Sequence, residues 1–133
     1  MKLLTRNTDY AVRAICYMAK NKDRVIPVPE FARELSIPRP FLRKVLQILN
    51  KKGIVRSYKG LGGGFRIVVE PGRIFLVKLV EIFQGPLRLN ECTLKKVICP
   101  NRKKCPLKKK IDRIEKYMLS ELGTITISSL IRG

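Results

Sequence analysis

The chain has 133 residues, the size of one ordinary domain with a modest appendage. Its 29 lysines and arginines against 10 acidic residues give a formal charge of +19, which indicates a polyanionic partner, a nucleic acid before an anionic membrane surface. Apolar residues make up 45% of the chain, so a hydrophobic core can form. No apolar run approaches the ~20 residues of a membrane span. The first residues lack the apolar stretch of a signal peptide, so we expect a cytoplasmic protein.

Histidine is absent from the sequence, which removes most histidine-based catalysis and the common zinc sites. No paired carboxylates in a pocket-like context and no cofactor fingerprint are present. The sequence therefore predicts that the protein is not an enzyme. Its four cysteines favour metal or redox chemistry over structural disulfides if the protein is cytoplasmic.

The first three predicted elements are helices. The first is expected to be capped by Asn7 or Thr8 and to run to about Lys20. Pro29 can open a second helix that ends at Leu35, and Pro40 a third that ends near Lys52 before a capping glycine at position 53. The third helix has an apolar face that is expected to point inward: Phe41, Leu42, Val45, Leu46 and Leu49. Two helices joined by a short turn, the second with a basic outer face, predict a helix-turn-helix.

A β-hairpin is predicted next, because two β-rich runs, 54–58 and 65–69, flank a glycine loop. Directly after a helix-turn-helix, such a hairpin is a wing. The loop lacks the Gly-Lys-Ser/Thr end of a phosphate-binding loop and joins strand to strand, so a nucleotide site is not favoured.

The remaining elements predict an appendage beyond a finished domain. A fourth helix is expected from Arg73 to Phe83, followed by a basic, cysteine-bearing segment over 87–105. A long amphipathic helix then runs from Pro106 to Leu122, and Thr126 caps a short last helix that ends at Ile131. A lone amphipathic helix needs a partner for its apolar stripe, which predicts a homodimer.

The predicted fold is therefore mainly α with a small β-hairpin. It comprises a winged helix-turn-helix domain over 1–86, the cysteine-bearing loop over 87–105, and a dimerisation helix with a short C-terminal helix over 106–133.

The candidate DNA-binding residues follow from the predicted helix-turn-helix and wing. Side chains placed to reach base edges in the major groove are Pro40, Arg43, Lys44 and Gln47. Arg6 and Lys51 are expected to contact phosphate groups. At the wing tip, Lys59 and the backbone of Gly60, Gly62 and Gly63 can approach the minor groove. Two ordinary packed helices with a solvated basic face, followed by a flexible hairpin, remain the alternative.

The cysteines fall into two groups. Cys16 lies within the first helix and is read as a small buried hydrophobic residue. Cys92, Cys99 and Cys105 form a Cys-x6-Cys-x5-Cys loop, which is looser than the usual pairs of a zinc site. Such spacing favours an iron–sulfur cluster. Structural zinc, a redox thiol switch and no function remain open on spacing alone.

The whole chain resembles the IscR/NsrR-type winged-helix regulators of bacteria. The matching stretches are Leu4-Thr5 through Ala14, Ile37 to Leu49, Gly53-Ile54-Val55 with the Gly-Leu-Gly-Gly-Gly wing, Gly85-Pro86-Leu87 and the three cysteines. The resemblance implies a dimer of crossing long helices that binds a roughly palindromic DNA site and represses or activates transcription. It also implies that Cys92, Cys99 and Cys105 hold an iron–sulfur cluster, either [2Fe–2S] or [4Fe–4S], whose state controls DNA binding.

Two departures from the family pattern limit what can be carried over. The iron–sulfur-biogenesis branch has a histidine ligand three residues after the last cysteine, where this chain has Lys108. In the nitric-oxide-sensing branch an early aspartate ligates from the partner subunit, and Asp9 matches that position; an Asp that stabilises its own helix start is the alternative. The biogenesis branch also carries a glutamate where this chain has Arg43, so the preferred DNA sequence is expected to differ.

Three functions follow in order of expectation. The first is a homodimeric transcriptional regulator controlled by an iron–sulfur cluster. The second is a regulator of the same fold whose cysteines act as a thiol switch or bind zinc. The third is a non-specific architectural or RNA-binding protein.

Overall fold

The computed structural model describes residues 3–89 and 105–133, and within those ranges it is mainly helical with one small hairpin. The helices are α1 (Arg6–Lys20), α2 (Val28–Leu35), α3 (Arg39–Lys51), α4 (Leu76–Gln84), α5 (Pro106–Leu122) and α6 (Ile127–Arg132). The strands are β1 (Val55–Tyr58) and β2 (Gly64–Ile67), and a 3-10 turn covers Pro71–Arg73. This confirms the fold class predicted from the sequence.

The start of α1 differs from the prediction. Thr5 is the N-cap residue, and its hydroxyl accepts a hydrogen bond from the backbone N–H of Thr8 at 3.4 Å. Capping by Asn7 or Thr8 was the wrong expectation, because Thr8 lies at the third helical position with its side chain completely buried. The helix thus begins about half a turn earlier than predicted.

The start of α4 also differs, because Ile74 and Phe75 are extended and not helical. They pair with the chain before α6: Ile127 N donates to Ile74 O at 2.9 Å, and Leu76 N donates to Ile125 O at 3.0 Å. A helix from Arg73 would have removed this pairing. The structure therefore shortens the predicted helix and ties the C-terminal segment to the first domain.

The helix-turn-helix forms as predicted, and both helices begin one residue earlier than predicted. Pro29 and Pro40 occupy the second position of α2 and α3, where a missing N–H costs no helical hydrogen bond. Between the helices, Ser36 adopts a left-handed conformation at φ +55°. Gly53 follows α3 at φ +78°, as expected for a C-terminal glycine.

One hydrophobic core joins the first four helices, the hairpin and α6. Its large fully buried side chains include Ile15, Met18, Phe31, Leu42, Leu46, Leu49, Leu79 and Ile127. The antiparallel register pairs Val55 with Ile67 and Tyr58 with Gly64. A bridge from Ile26, with both backbone hydrogen bonds to Phe65 at 2.8 and 2.9 Å, fixes the hairpin to the segment before α2. The wing is therefore anchored at its base by the core.

Helix α5 is packed quite differently. Among its residues only Leu122 is buried, in a small cluster with Leu76 and Val80 of α4. Leu107, Ile114 and Tyr117 are 65%, 53% and 69% exposed. The predicted bounds of α5 are correct. Its apolar stripe is open at Leu107 and Ile114, half-buried at Ile111 and Met118, and closed at Leu122 within the single chain.

Candidate nucleic-acid interface and cysteine segment

Helix α3 separates its two faces as the sequence predicts. Leu42, Val45, Leu46 and Leu49 are buried against the core. The side chains predicted to reach base edges are all exposed: Pro40, Arg43, Lys44 and Gln47. Lys51, predicted to contact phosphate, is exposed as well. A rigid helix thus presents a cationic and amide-bearing surface of the kind that fits the major groove.

Phe41 is the exception to the predicted apolar face, since its side chain is 42% exposed. Its ring lies 6.4 Å from the ring of Tyr10, centroid to centroid, and the Arg6 guanidinium lies 6.0 Å from its centroid. The inward prediction failed because Phe41 bridges the first turns of α1 and α3 instead of entering the core. The contact brings Arg6 beside the start of the recognition helix.

Asn50 connects the recognition helix to the wing. Its side-chain oxygen accepts a hydrogen bond from Ser57 N at 3.2 Å, so the last turn of α3 is tied to β1. The helical periodicity groups Asn50 with the solvent-facing polar residues of α3 and gives no indication of this bond.

The wing tip is shaped by glycine. Gly60 and Gly62 have φ of +85° and +75°, and Gly63 N donates to Gly60 O at 2.9 Å to close the turn. Lys59, Gly60 and Gly62 are exposed. A Cβ on Gly63 would come within 2.5 Å of Tyr58 O. The tip is therefore a tight turn with an open backbone edge, which suits close approach to a narrow groove.

A groove brings the wing and the recognition helix together. It is lined by Arg43 and Gln47 of α3, by Tyr58, Gly60 and Gly63 of the hairpin, and by the segment 27–29 before and within α2. The predicted major-groove and wing residues thus share one surface. Tyr58 lines the same groove and was missed by the sequence analysis, because a strand tyrosine carries no distinct signal.

Of the four candidate metal ligands, the structure describes Cys105 and Asp9. Cys105 is a free, half-buried thiol at the N-cap of α5, as predicted, whereas Cys92 and Cys99 lie outside the described residues. Asp9 lies in the first turn of α1 and forms an ion pair with Arg13 at 3.1 Å. Within residues 3–89 and 105–133, no three cysteine or acidic side chains converge as a metal site.

Cys16 packs with the hydrophobic core as predicted, but it is half-buried where the sequence predicted full burial. Burial raises the pKa of its thiol above the usual value, an effect that Lys20 partly offsets. Because the thiolate is the reactive form, the raised pKa lowers the reactivity of this thiol.

A hydrogen-bonded clamp joins the first turn of α1 to the end of α4. The side-chain oxygen of Gln84, at the end of α4, accepts from Thr5 N at 2.8 Å and from the buried Thr8 hydroxyl at 2.7 Å. Its amide nitrogen donates to Leu3 O at 3.2 Å. The first turn of α1 is thus fixed to the residue directly before Gly85. A glutamine in an apolar helix was the available signal, and the sequence analysis did not use it.

Comparison with known proteins identifies the family. The model of the Rrf2 family, described as an iron-dependent transcriptional regulator, matches residues 4–133. The chain belongs to the Rrf2 family. This family includes the IscR/NsrR-type regulators that the sequence resembles.

One relative and two solved structures agree with this assignment. A protein of Aquifex aeolicus (strain VF5), whose name places it among HTH-type transcriptional regulators, is 42% identical over 85 residues, which cover 64% of this chain and 59% of that protein. CymR, the global cysteine regulator of B. subtilis, superposes with a TM-score of 0.82 at 19% identity over 99% of this chain and 98% of CymR. IscR of T. potens gives a TM-score of 0.75 at 20% identity over 99% of this chain and 87% of IscR. At these identities both structures are similar in fold alone.

The protein is therefore a DNA-binding transcriptional regulator of the Rrf2 family and not an enzyme, as predicted. Within the two described ranges, no helix is both long and apolar enough to cross a membrane.

Proposed function

We propose that this Rrf2 regulator is a homodimer that reads a roughly palindromic operator and that an iron–sulfur cluster controls its binding. The cluster ligands proposed are Cys92, Cys99 and Cys105 together with Asp9 of the partner subunit. The observation that carries the proposal is the set of contacts at the first turn of α1, which contains Asp9. Gln84 fixes this turn to the end of α4, which leads into the cysteine segment, and Arg6 in the same turn lies beside Phe41 of the recognition helix.

The DNA-reading part of the proposal is supported by exposure and charge. Arg43, Lys44 and Gln47 project from one face of α3, and Arg43 and Gln47 share a groove with the wing. Arginine and lysine pair with guanine O6 and N7, and glutamine pairs with adenine. Arg6, held beside Phe41, and Lys51 at the far end of α3 would contact phosphates on either side.

The dimer is supported by the open stripe of α5. A helix of 17 residues that leaves Leu107, Ile114 and Tyr117 mostly exposed has not buried its apolar face within the chain. The same stripe on a second copy would cover it with two-fold symmetry. The two recognition helices of such a dimer would bind two half-sites, which is why the operator is proposed to be palindromic.

The residues at the ends of the cysteine segment fit a cluster. Cys105 offers a thiol at the N-cap of α5, and no side chain caps that helix end. On the other side, Leu89 N donates to Glu115 Oε1 at 3.1 Å. Because Glu115 lies ten positions along α5 from Cys105, the two ends of the segment are about 15 Å apart along the helix. The described ends of the segment are thus both in contact with α5, and a bound cluster would supply iron that responds to oxidants, nitric oxide or iron supply.

Asp9 is available as a fourth ligand because its present partner is weak. The Asp9 and Arg13 side chains are 43% and 52% exposed, and such surface pairs contribute about 0–1 kcal/mol. The chain has no histidine to ligate in its place. An Asp donated across the dimer would join the cluster to the first turn of α1. The Gln84 clamp fixes that turn to the end of α4, and the Arg6 contact with Phe41 connects it to the recognition helix.

These contacts give a route for the signal. Gain or loss of Asp9 ligation would shift the first turn of α1, where Thr5 and Thr8 hold Gln84 and where Arg6 and Tyr10 hold Phe41. Phe41 lies at the start of α3, so the shift would re-aim the recognition helix. This requires two arrangements of α1 with different affinities for the cluster-bearing segment.

Anaerobic reconstitution with iron and sulfide, followed by visible spectroscopy, tests the ligands. The wild-type protein is expected to become coloured, Cys105→Ser to lose the chromophore, and the control Cys16→Ala to keep it, since Cys16 packs in the core. Asp9→Asn is expected to alter the spectrum. Asp112→Asn, which removes a carboxylate from the similar i,i+4 pair of Asp112 and Lys108, is expected to leave it unchanged.

Two results would overturn the assignment. An iron-free, colourless wild-type protein would favour the thiol switch. An unaltered spectrum in Asp9→Asn, or an altered one in Asp112→Asn, would remove Asp9 from the ligand set.

A further inference from the structure

The outer face of the wing carries two arginines that the recognition surface does not use. Val55, Phe65 and Ile67 are 2%, 5% and 5% exposed, so these residues define the inner face of the hairpin. Strand residues alternate between faces, and the register places Arg56 directly opposite Arg66. Both side chains therefore project from the outer face as a cross-strand pair.

This pair is electrostatically unfavourable in the free protein. Like charges directly opposite each other destabilise a hairpin. Arg66 Nη2 reaches Asp23 Oδ1 at 3.5 Å, but that carboxylate is 78% exposed to water and compensates little. The Nε atom of Arg66 is buried without a hydrogen-bond partner in the described structure. Among residues 3–89 and 105–133, Arg56 has no acidic side chain within ion-pair distance.

The unused donors of the pair point to an anion. Each guanidinium carries five N–H donors in a planar fork that matches the oxygens of a phosphate. A phosphate between the two side chains would offset their repulsion and accept their hydrogen bonds. The pair thus has the chemistry of a phosphate clamp.

The position of the pair favours a DNA phosphate over a free one. Arg56 lies three residues before Lys59 at the wing tip, about 10 Å along an extended strand. The Asn50–Ser57 hydrogen bond fixes this strand to the recognition helix. When the tip approaches a groove, the backbone that borders that groove runs past the outer face of the hairpin.

We propose that Arg56 and Arg66 form a phosphodiester-binding clamp on the wing, which adds affinity to DNA binding without reading sequence. The inference rests on the proposed DNA interface, but it does not depend on the cluster. It enlarges the wing contact from the glycine tip to the face of the two strands.

Salt-dependent binding to a fluorescent mixed-sequence DNA duplex tests the clamp, because that probe requires no knowledge of the operator. The double variant Arg56→Ala/Arg66→Ala is expected to reduce the magnitude of the slope of log K against log salt by about 0.9, because the protein then neutralises one phosphate fewer. Its melting temperature is expected to equal or exceed the wild-type value, because a repulsive pair is removed.

Arg73→Ala/Lys78→Ala is the matched control. It removes two positive charges from the 3-10 turn and α4, away from the wing, and it is expected to keep the wild-type slope. An unchanged slope in the wing variant, or an equal loss in this control, would overturn the clamp.

The variant Arg43→Ala/Lys44→Ala distinguishes an incorrect clamp from an incorrect DNA interface. If that variant weakens binding while the wing variant does not, the clamp alone is wrong. If neither weakens binding, the proposed interface is wrong as well.

Discussion

The DNA-binding region and helix α5 differ in how far their apolar side chains are buried within one chain. In α3, four apolar side chains are completely buried, and the charged side chains lie outside. In α5, one residue is buried, while Leu107, Ile114 and Tyr117 remain exposed. The first region is complete within one chain. The second packs against α4 only near its C-terminal end and leaves the rest of its apolar face uncovered, which is the reason for the proposed second copy.

Disruption of α5 should give the largest effect. Ile114→Glu places a charge in the exposed stripe and is expected to produce a monomer, because an ion cannot be buried in an apolar interface without a partner. Loss of the second recognition helix should reduce operator affinity by about 10²–10⁴-fold. Sedimentation measures the monomer, and binding titration the affinity.

The matched control lies on the polar face of the same helix. Lys116→Glu also adds negative charge to α5, but Lys116 is outside the stripe, so the dimer should persist. Retention of the dimer in both variants would refute the proposed role of the α5 stripe.

Substitution of one leucine by alanine in each region tests the same difference in burial through the free energy of unfolding. Leu46→Ala removes a completely buried side chain and should lower the free energy of unfolding by about 2–5 kcal/mol. Leu107→Ala, at 65% exposure, should change it by less than about 0.5 kcal/mol in the monomeric Ile114→Glu background. Urea unfolding of both variants checks this, and equal losses would contradict the contrast.

Substitution of two wing glycines by alanine should reduce the free energy of unfolding to different extents, because the space around the two residues differs. Gly64→Ala would drive a Cβ into Ile26 O at φ +151°, so we expect a loss of about 3 kcal/mol in the free energy of unfolding. Gly62→Ala meets nothing within 4 Å and has only its φ of +75° to accommodate, at about 1–2 kcal/mol. Thermal unfolding compares the two, and a larger loss for Gly62→Ala would show that the tip is packed.

Gln84→Leu tests the clamp between α1 and the end of α4, which lies within the DNA-binding region. It leaves the buried Thr8 hydroxyl and the Thr5 N–H without their acceptor, so the free energy of unfolding should fall by about 1–3 kcal/mol. The same variant should reduce the difference in DNA affinity between cluster-bound and cluster-free protein. A stability loss with that difference intact would make the clamp structural only.

The smallest expected effect is a pH dependence within the DNA-binding region. Hydrogen bonds from the Tyr17 hydroxyl at 2.6 Å and from Arg24 at 2.9 Å hold the pKa of Glu30 below its usual value. A lowered pKa stabilises the fold above the unfolded-state pKa, and that contribution is lost as pH falls through the folded-state value. Wild type should therefore exceed Glu30→Gln in melting temperature at neutral pH, and the gap should close in acid.

Sequence patterns predicted the elements well where one local signal determined them. Pro106 and Gly123 bound α5 as predicted, and Thr126 caps α6 as predicted. The errors arose where a distant contact prevailed over a local one. Phe41 fits an apolar stripe but packs against Tyr10 and Arg6, since tertiary contacts decide which way a residue at a helix end points.

Distant contacts also explain which parts of the candidate site the sequence does not predict. Gln84 and Thr5 are separated by 79 positions, and no periodicity links an amide to a helix start so far away. The Arg56–Arg66 pair required the strand register, which depends on the turn geometry at Gly60 to Gly63. The exposed residues of α3 needed only helical spacing, so their placement was predictable.

The central claim is that the cysteine segment governs DNA binding, and operator affinity measured on one protein sample with and without cluster tests it most directly. The operator is first selected from random sequence with the anaerobic protein, and the cluster is then removed by nitric oxide or chelation. We predict a change in affinity of at least about tenfold, which corresponds to the usual range of coupling free energies, in wild type and in Cys16→Ala, and no change in Cys105→Ser. Equal affinity of the wild-type protein in both states would contradict the account.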